Sequence, residues 1–339
     1  MNSKVDLPNL ESWTSVIPQN LVESFHDSDR PVIFIGSGFG KEAVPPLSTG
    51  EQLASLLRTE LDVKDNGEDL AELLQYLQNS WAGSRKDMIT WLKKRLSYEE
   101  SKPGGAYRLL LGLPANEFLT TNYDPLLSSA ALQIGYLLNV IDHPESYKTS
   151  AAQYRNKKKI GVLGRLHGGF GTAEEYIVAT TNDYIENYNE RGYGWTDLLQ
   201  QHFRDRRMIF IGYSIRDFTT WTSLITVLQK SKESRGGIHT HFLVSPIQSH
   251  HYSNFWNHYN ISHIPLKAYQ FLAATHKLLG NLDDKSDNEE IAISAAAACA
   301  RKTYEEFLPE LEVYRKQHSY RTKRLAALRW LREGCYEDK

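Results

Sequence analysis

The feature that most constrains this chain is a series of short apolar runs rich in Val, Ile and Phe, each bounded by Gly, Pro or Asn. They are Pro31 to Ile35, Glu117 to Thr121, Leu138 to Asp142, Ile160 to Leu166, Ile177 to Thr180, Met208 to Ile211 and Thr240 to Val244. Their apolar character is continuous rather than alternating, the pattern of strands covered on both faces, as in parallel sheets. Helical patterns lie between them: Thr49 to Leu61, Leu70 to Trp81, Lys86 to Leu96, Leu126 to Gln133, Trp195 to Arg204 and Asp217 to Leu228. This alternation predicts an α/β chain built on a Rossmann-like doubly wound parallel sheet. The helical stretch between the first and second runs is longer than one crossover requires. Residues 47–113 are therefore expected to form a helical module inserted in, or packed over, the sheet domain.

Composition excludes several classes. With 41% hydrophobic and 11% aromatic residues over 339 positions, the chain can bury a large core. The 39 Lys+Arg against 41 Asp+Glu leave no broad basic footprint, so direct nucleic-acid binding is not expected. The longest run of small apolar residues, Ile291 to Ala300, is about half of what a bilayer-spanning helix needs, so no membrane association is expected. The start of the chain lacks the apolar stretch of a signal peptide, and the expectation is a cytoplasmic protein. Cys299 and Cys335 are the two cysteines, too few for a four-cysteine zinc site, and no metal is expected.

Strand patterns stop near Pro265 and helical ones continue from Glu289 to Phe307 and from Glu310 to Leu331. Residues 1–285 are read as the ligand-binding domain and 286–339 as a C-terminal helical segment for oligomerisation or partner docking. The alanine-rich stretch Ser294 to Ala300 permits close helix approach. The stripe Leu325, Leu328, Leu331 wants a cover, which is either the body of the same domain or, as the basic residues around it suit, a sister subunit or an acidic partner.

Four run ends carry candidate chemistry. Val32 to Ile35 opens into Gly36-Ser37-Gly38-Phe39-Gly40, a loop whose backbone can approach a pyrophosphate closely. The dehydrogenase fingerprint is broken, because its third glycine is replaced by Lys41 and no second strand follows at the required distance. Phe118 to Thr121 leads into Asn122-Tyr123-Asp124-Pro125; an amide at a buried strand end must find a partner or a ligand, while Asp124 also suits a helix cap. Gly164 to Leu166 leads into His167-Gly168-Gly169, which can present an imidazole to a cleft. Ile209 to Ile211 leads into Gly212-Tyr213-Ser214, with Asp217 three residues on.

In order and spacing this set resembles the sirtuin superfamily, and more closely its divergent NAD-consuming branch found in prokaryotic antiviral defence. Gly36-Ser37-Gly38 is similar to the family's G-A-G loop, Thr121-Asn122-Tyr123-Asp124 to its T-x-N-x-D motif, Leu166-His167-Gly168 to its H-G motif and Gly212-Tyr213-Ser214 with Asp217 to its late G-x-S loop. Thr180 to Tyr184 looks like the aspartate-tyrosine element that follows the histidine in this branch. The resemblance covers about Arg30 to Leu266. It implies NAD as substrate, with Asn122 and His167 catalytic and Gly36, Ser37, Gly38, Phe39, Thr121, Asp124, Gly212, Ser214 and Asp217 binding the dinucleotide.

The zinc ribbon of sirtuin deacylases is missing, so the resemblance implies hydrolysis of NAD to nicotinamide and ADP-ribose. An ADP-ribosyl or deacyl transferase and a nucleotide-sensing module on the same fold are the alternatives. It also implies gating by assembly into a homo-oligomer or by a partner such as a HerA-type ATPase or a short argonaute.

Overall fold

The computed structural model describes residues 10–64, 69–81, 84–155, 157–171, 174–186, 193–213, 221–222, 224–227, 239–282 and 286–333. Its centre is a parallel sheet of seven strands: β1 (Val32–Ile35), β4 (Glu117–Thr120), β5 (Leu137–Ile141), β6 (Ile160–Arg165), β7 (Met208–Ile211), β8 (His241–Val244) and β9 (Ile261–Ile264). The spatial order is β5-β6-β4-β1-β7-β8-β9. β1 is the middle strand, with Phe34 paired to Leu119 of β4 and to Phe210 of β7. A minor two-stranded ribbon pairs β2 (Ala43–Val44) antiparallel to β3 (Lys102–Pro103).

Successive residues of β1 enter opposite layers, as a strand's period of two requires. Val32 and Phe34 pack with Tyr147, Trp195, Phe203 and Trp256 on one face. Ile33 and Ile35 join the larger core on the other. All four are at most 3% exposed, which explains why this run is uninterrupted by polar residues.

The helices are α1 (Leu10–Thr14), α2 (Gln19–Ser24), α3 (Gly50–Leu61), α4 (Leu70–Tyr76), α5 (Arg85–Leu96), α6 (Gly105–Gly112), α7 (Leu126–Gln133), α8 (Pro144–Tyr154), α9 (Thr181–Glu186), α10 (Tyr193–Asp205), α11 (His250–His258), α12 (Ala268–Leu278), α13 (Glu289–Cys299), α14 (Tyr304–Gln317) and α15 (Lys323–Glu333). Helices α3 to α6 lie between β1 and β4 in the chain. Two of them begin with reciprocal caps: Gln52 N donates to Thr49 Oγ1 at 3.4 Å while Thr49 N donates to Gln52 Oε1 at 3.0 Å, and Asp69 and Glu72 repeat the exchange for α4.

One expected strand is absent, and one strand lies outside the apolar runs. The run Ile177 to Thr180 is buried but is not a strand. Its backbone groups are satisfied by side chains instead of a ladder: Tyr123 Oη donates to Val178 O at 2.6 Å, and Asp183 Oδ2 accepts from Ala179 N and Thr180 N at 2.9 Å each. Conversely, Ile261–Ile264 is a strand at the sheet edge whose Ser262 and His263 interrupt the apolar run.

The C-terminal alanine stretch is covered by this chain. Every residue of α13 from Ile291 to Cys299 is buried. A Cβ built on Gly105 of α6 would lie 2.3 Å from Ser294 O and 2.5 Å from Ala298 N, so the two helices cross at a distance only glycine allows. Arg108 of α6 adds ion pairs to Glu290, at 3.3 Å, and to Glu305, with its guanidinium 4.3 Å from the Tyr304 ring. Leu328 and Leu331 are buried as well, so these two residues of the stripe already have their cover.

Candidate active site

The loops after β1, β4, β6, β7 and β8 all leave the sheet at its carboxyl edge, where open α/β sheets bind ligands beside the point at which strand order reverses. Those after β1 and β7 are pinned together. Gly36 N donates to Ile211 O at 3.0 Å and Gly38 N to Gly212 O at 2.8 Å. Gly212 has φ +63°, and a Cβ there would lie 2.2 Å from Phe39 N; a Cβ on Gly36 would lie 2.6 Å from both Gly212 O and Tyr213 Cα. Only glycine permits this approach of two backbones. The chain then turns into a 3-10 segment, Ser37–Glu42, instead of the α-helix of a dehydrogenase loop.

The end of β4 is tied to the same loop. Thr120 Oγ1 donates to Ile35 O at 2.9 Å and accepts from Asn122 N at 2.9 Å, while Asn122 Nδ2 donates to Gly36 O at 3.1 Å. The amide is thereby fixed, and its Oδ1 is enclosed with no hydrogen-bond partner among the described residues. Asp124 Oδ1 accepts from Leu126 N at 3.1 Å and so caps α7. Burial nevertheless pushes its carboxyl up to about 6, against the lowering by the Leu126 amide.

His167 ends the neighbouring strand. Thr120 pairs with Arg165, so Asn122 and His167 each lie two residues past one paired position on adjacent strands. His167 is 4% exposed; its carbonyl accepts from Val178 N at 3.1 Å, and the Tyr184 ring meets it edge-on with centroids 5.1 Å apart. Gly168, at φ +68°, turns the chain back so closely that a Cβ would lie 2.5 Å from Tyr176 O.

The segment that covers His167 is clamped from the helical module. Arg85, at the start of α5, pairs with Asp183 at 2.7 Å, donates to Glu174 O at 3.1 Å and reaches Ile177 O. Nothing local to residues 174–184 signals this: the clamp is about ninety positions earlier in the chain.

A cavity of about 670 Å³ opens at the same edge, large enough for a dinucleotide-sized ligand. Ser37, Gly38, Thr121 and Gly212 line it, as do Lys41, Glu42, Lys267 and Arg301. Glu42 is 8% exposed, and burial pushes it up to about 7 even though Arg301 lies 3.9 Å away and Lys267 acts in the same direction. Arg301 also stacks over Tyr269, 4.9 Å from the ring centroid. It follows α13 and brings the C-terminal segment to the cavity, which the sequence reading placed away from the site.

Of the sequence-predicted residues, Ser37, Gly38, Thr121 and Gly212 form this wall, and Gly36 supports it from behind. Asn122 and His167 stand beside the cavity at the ends of β4 and β6 without lining it. Phe39 is 1% exposed, with its ring 4.8 Å from that of Tyr107, so only its backbone belongs to the loop. Ser214 and Asp217 lie outside the described residues. Among the described residues no group of His, Cys, Asp or Glu is arranged to hold a metal ion, and no helix is long and apolar enough to cross a membrane. His241 instead accepts from Met208 N at 3.3 Å, and His263 Nδ1 contacts Ser253 Oγ at 2.8 Å.

Residues 116–264, the segment from β4 to β9 with Asn122, His167 and Gly212, match the family model of the SIR2-like domain. Three curated proteins are similar to the chain, each called NAD(+) hydrolase ThsA. That of Cytobacillus dafuensis is 24% identical over 202 residues, 60% of this chain and 38% of the relative. That of Acinetobacter baumannii (strain 532279) is 25% identical over 196 residues, 55% and 36%. That of Enterococcus faecium is 25% identical over 151 residues, 44% and 30%. The chain thus spans well under half the length of the curated relatives it matches. A solved structure described as "Structural Basis for the Mechanism and Regulation of Sir2 Enzymes" aligns with 79% of this chain and 100% of its own at a TM-score of 0.41 and 12% identity, too loosely to carry an argument.

Proposed function

We propose that this chain hydrolyses NAD at the bond between nicotinamide and ribose. The observation that carries the reading is Asn122. A strand-end amide held through Nδ2 on Gly36 O, with Oδ1 enclosed and lacking a partner among the described residues, is costly unless a ligand completes it. Hydrolase names on the similar proteins support the choice of substrate.

In this reaction the C1′–N bond breaks and the pyridinium electrons return to nicotinamide, which leaves neutral without a general acid. A bond forms between C1′ and a water oxygen, through oxocarbenium-like charge on the ribose. Asn122 Oδ1 orients the ribose or the attacking water. His167 accepts the proton released from water or from a ribose hydroxyl. The products are nicotinamide, ADP-ribose and one proton.

The pyrophosphate lies against the Ser37–Gly38 turn, with Lys41, Lys267 and Arg301 offsetting its charge. Asp124 supports the loop, and the family resemblance adds Ser214 and Asp217 as nucleotide-binding residues. A cytoplasmic NAD hydrolase must be restrained, so activity is gated by homo-oligomer assembly or by a partner of the HerA-ATPase or short-argonaute kind, acting on the outer basic side of α14 and α15 in antiviral defence. The test is product analysis by mass spectrometry in ¹⁸O-water, with and without candidate partners. ADP-ribose carrying one heavy oxygen supports hydrolysis; ADP-ribose attached to a protein, or no turnover under any condition, overturns it.

A further inference from the structure

A second cavity, of about 380 Å³, lies at the opposite, amino edge of the sheet, between α8 and α10. Its floor is Glu117, the first residue of β4, and Arg206, which precedes β7; they form an ion pair at 2.7 Å, and Arg206 also donates to Arg30 O at 2.5 Å. Tyr147 of α8 and His202 of α10 are its inner walls, and Lys148 and Arg155 stand at its mouth.

Four of these groups, Glu117, Arg206, Tyr147 and His202, are more than nine-tenths buried. Three buried atoms here have no hydrogen-bond partner among the described residues: Tyr147 Oη, His202 Nε2 and Arg206 Nε. Each such orphan is costly to bury, and three around one cavity are not explained by packing. The proposed NAD chemistry uses none of them.

The charges acting on His202 are all positive. Burial first, then Arg206, Arg155 and Lys148, hold its imidazole down to about 3, so it is neutral at physiological pH. The carboxylates nearby are paired with these same cations or their neighbours: Glu117 with Arg206, and at 3.9 Å with Arg155, Asp29 with Arg155 at 3.4 Å, Glu145 with Lys148 at 3.0 Å, and Asp205 with Arg204 at 3.5 Å. With the imidazole proton on Nε2 the orphans offer three donors, that N–H, the Tyr147 hydroxyl and the Arg206 Nε–H, beneath Lys148 and Arg155, whose pairs with Glu145 and Asp29 are partly exposed to solvent and exchangeable for a ligand anion. A carboxylate has two oxygens to give; a phosphate group has three and carries nearly two negative charges. The volume exceeds what inorganic phosphate fills and leaves room for a small organic body.

We infer that the cavity between α8 and α10 is a second ligand site, which binds a small phosphomonoester through Tyr147, His202 and Arg206 with Lys148 and Arg155 at its entrance.

The experiment is calorimetric titration of the full chain with AMP and, separately, with orthophosphate, in wild type, Tyr147→Phe, the exposed-mouth double variant Lys148→Gln/Arg155→Gln, and Arg301→Gln. The expected result is AMP binding that weakens about tenfold in Tyr147→Phe and more in the double variant, and that persists in Arg301→Gln. Binding of orthophosphate as tight as AMP would assign the site to the free anion. Tyr147→Phe should not lower thermal stability, because the hydroxyl has no hydrogen bond to lose among the described residues. Absence of AMP and orthophosphate binding at millimolar concentration, or binding unchanged in both back-face variants, overturns the inference. Either outcome leaves the NAD reading untouched, since no residue tested on this face belongs to that site.

Discussion

Asn122 is joined to Gly36 by a 3.1 Å hydrogen bond from Nδ2 to the main-chain carbonyl, so the loop after β4 is locked to the glycine loop after β1. The bond fixes which amide atom is the acceptor: Oδ1 stays enclosed, without a partner among the described residues. Replacing Asn122 by Asp puts a carboxylate oxygen opposite the Gly36 carbonyl and reverses that logic. Asn122→Ala and Asn122→Asp are expected to lower NAD turnover by about 100-fold or more while circular dichroism stays near wild type, with melting lowered more in Asn122→Asp, whose carboxylate faces the Gly36 carbonyl. His167→Ala should do the same. Turnover at the wild-type rate in any of them would remove the assignment.

The Arg85 clamp gives a prediction that separates positioning from chemistry. Arg85 touches Asp183, Glu174 O and Ile177 O, all in the segment that covers His167. Arg85→Ala is expected to lower kcat about tenfold or more and to speed hydrogen exchange of the Ala179 and Thr180 amides, which Asp183 now holds. Arg85→Lys should restore part of the activity, since it keeps the charge but not the forked geometry. Unchanged exchange in Arg85→Ala would show that the clamp does not order the segment.

Much of this site could be read from residue order, and the exceptions have physical causes. Gly36, Asn122, His167 and Gly212 are visible because each ends a buried apolar run, and strand ends of a parallel sheet converge on one edge. Ile177 to Thr180 misleads because burial, not pairing, selects its residues; Tyr123 and Asp183 replace the ladder. Arg85, Lys267 and Arg301 could not be found by local pattern, because each reaches the site from a separate helical element. The alanine stretch of α13 announces close helix packing correctly but not its partner, which is Gly105 of the same chain.

Glu42 makes the stability of the folded chain pH-sensitive. Its folded value of about 7 lies above the ordinary 4.5, so between those values the folded chain holds a proton that the unfolded chain has released. Stability therefore falls as pH rises from about 4.5 to 7, by about 3 kcal/mol in total, and changes little from this group above that. Glu42→Gln should flatten this part of the profile, measured as urea midpoints across the window. A phosphate-bearing ligand disfavours the ionised carboxylate further, so NAD analogues should bind with proton uptake near pH 7, visible as a buffer-dependent binding enthalpy. The same slope in Glu42→Gln as in wild type would exclude Glu42 as the titrating group.

Arg301 supplies the last prediction, which decides whether the C-terminal helices take part in substrate binding. The residue follows α13 with φ +55°, where its amide donates to Ala298 O at 3.1 Å and closes the end of the helix. Its side chain lies over Tyr269 and 3.9 Å from Glu42, on the wall of the cavity that holds Ser37 and Gly38. Because Glu42 is disposed to hold a proton near neutral pH, the guanidinium is only loosely engaged and can turn to a phosphate at small cost. That contact is made equally in the ground state and in the transition state, far from the bond that breaks. Arg301→Gln should therefore raise KM for NAD about tenfold or more and leave kcat within about twofold. The affinity for ADP-ribose should fall by the same factor, since the product keeps the pyrophosphate, while nicotinamide binding should not change. Equal losses in kcat and kcat/KM would place Arg301 in the chemical step, and unaltered KM with weakened thermal stability would reduce it to a helix-end contact with Tyr269.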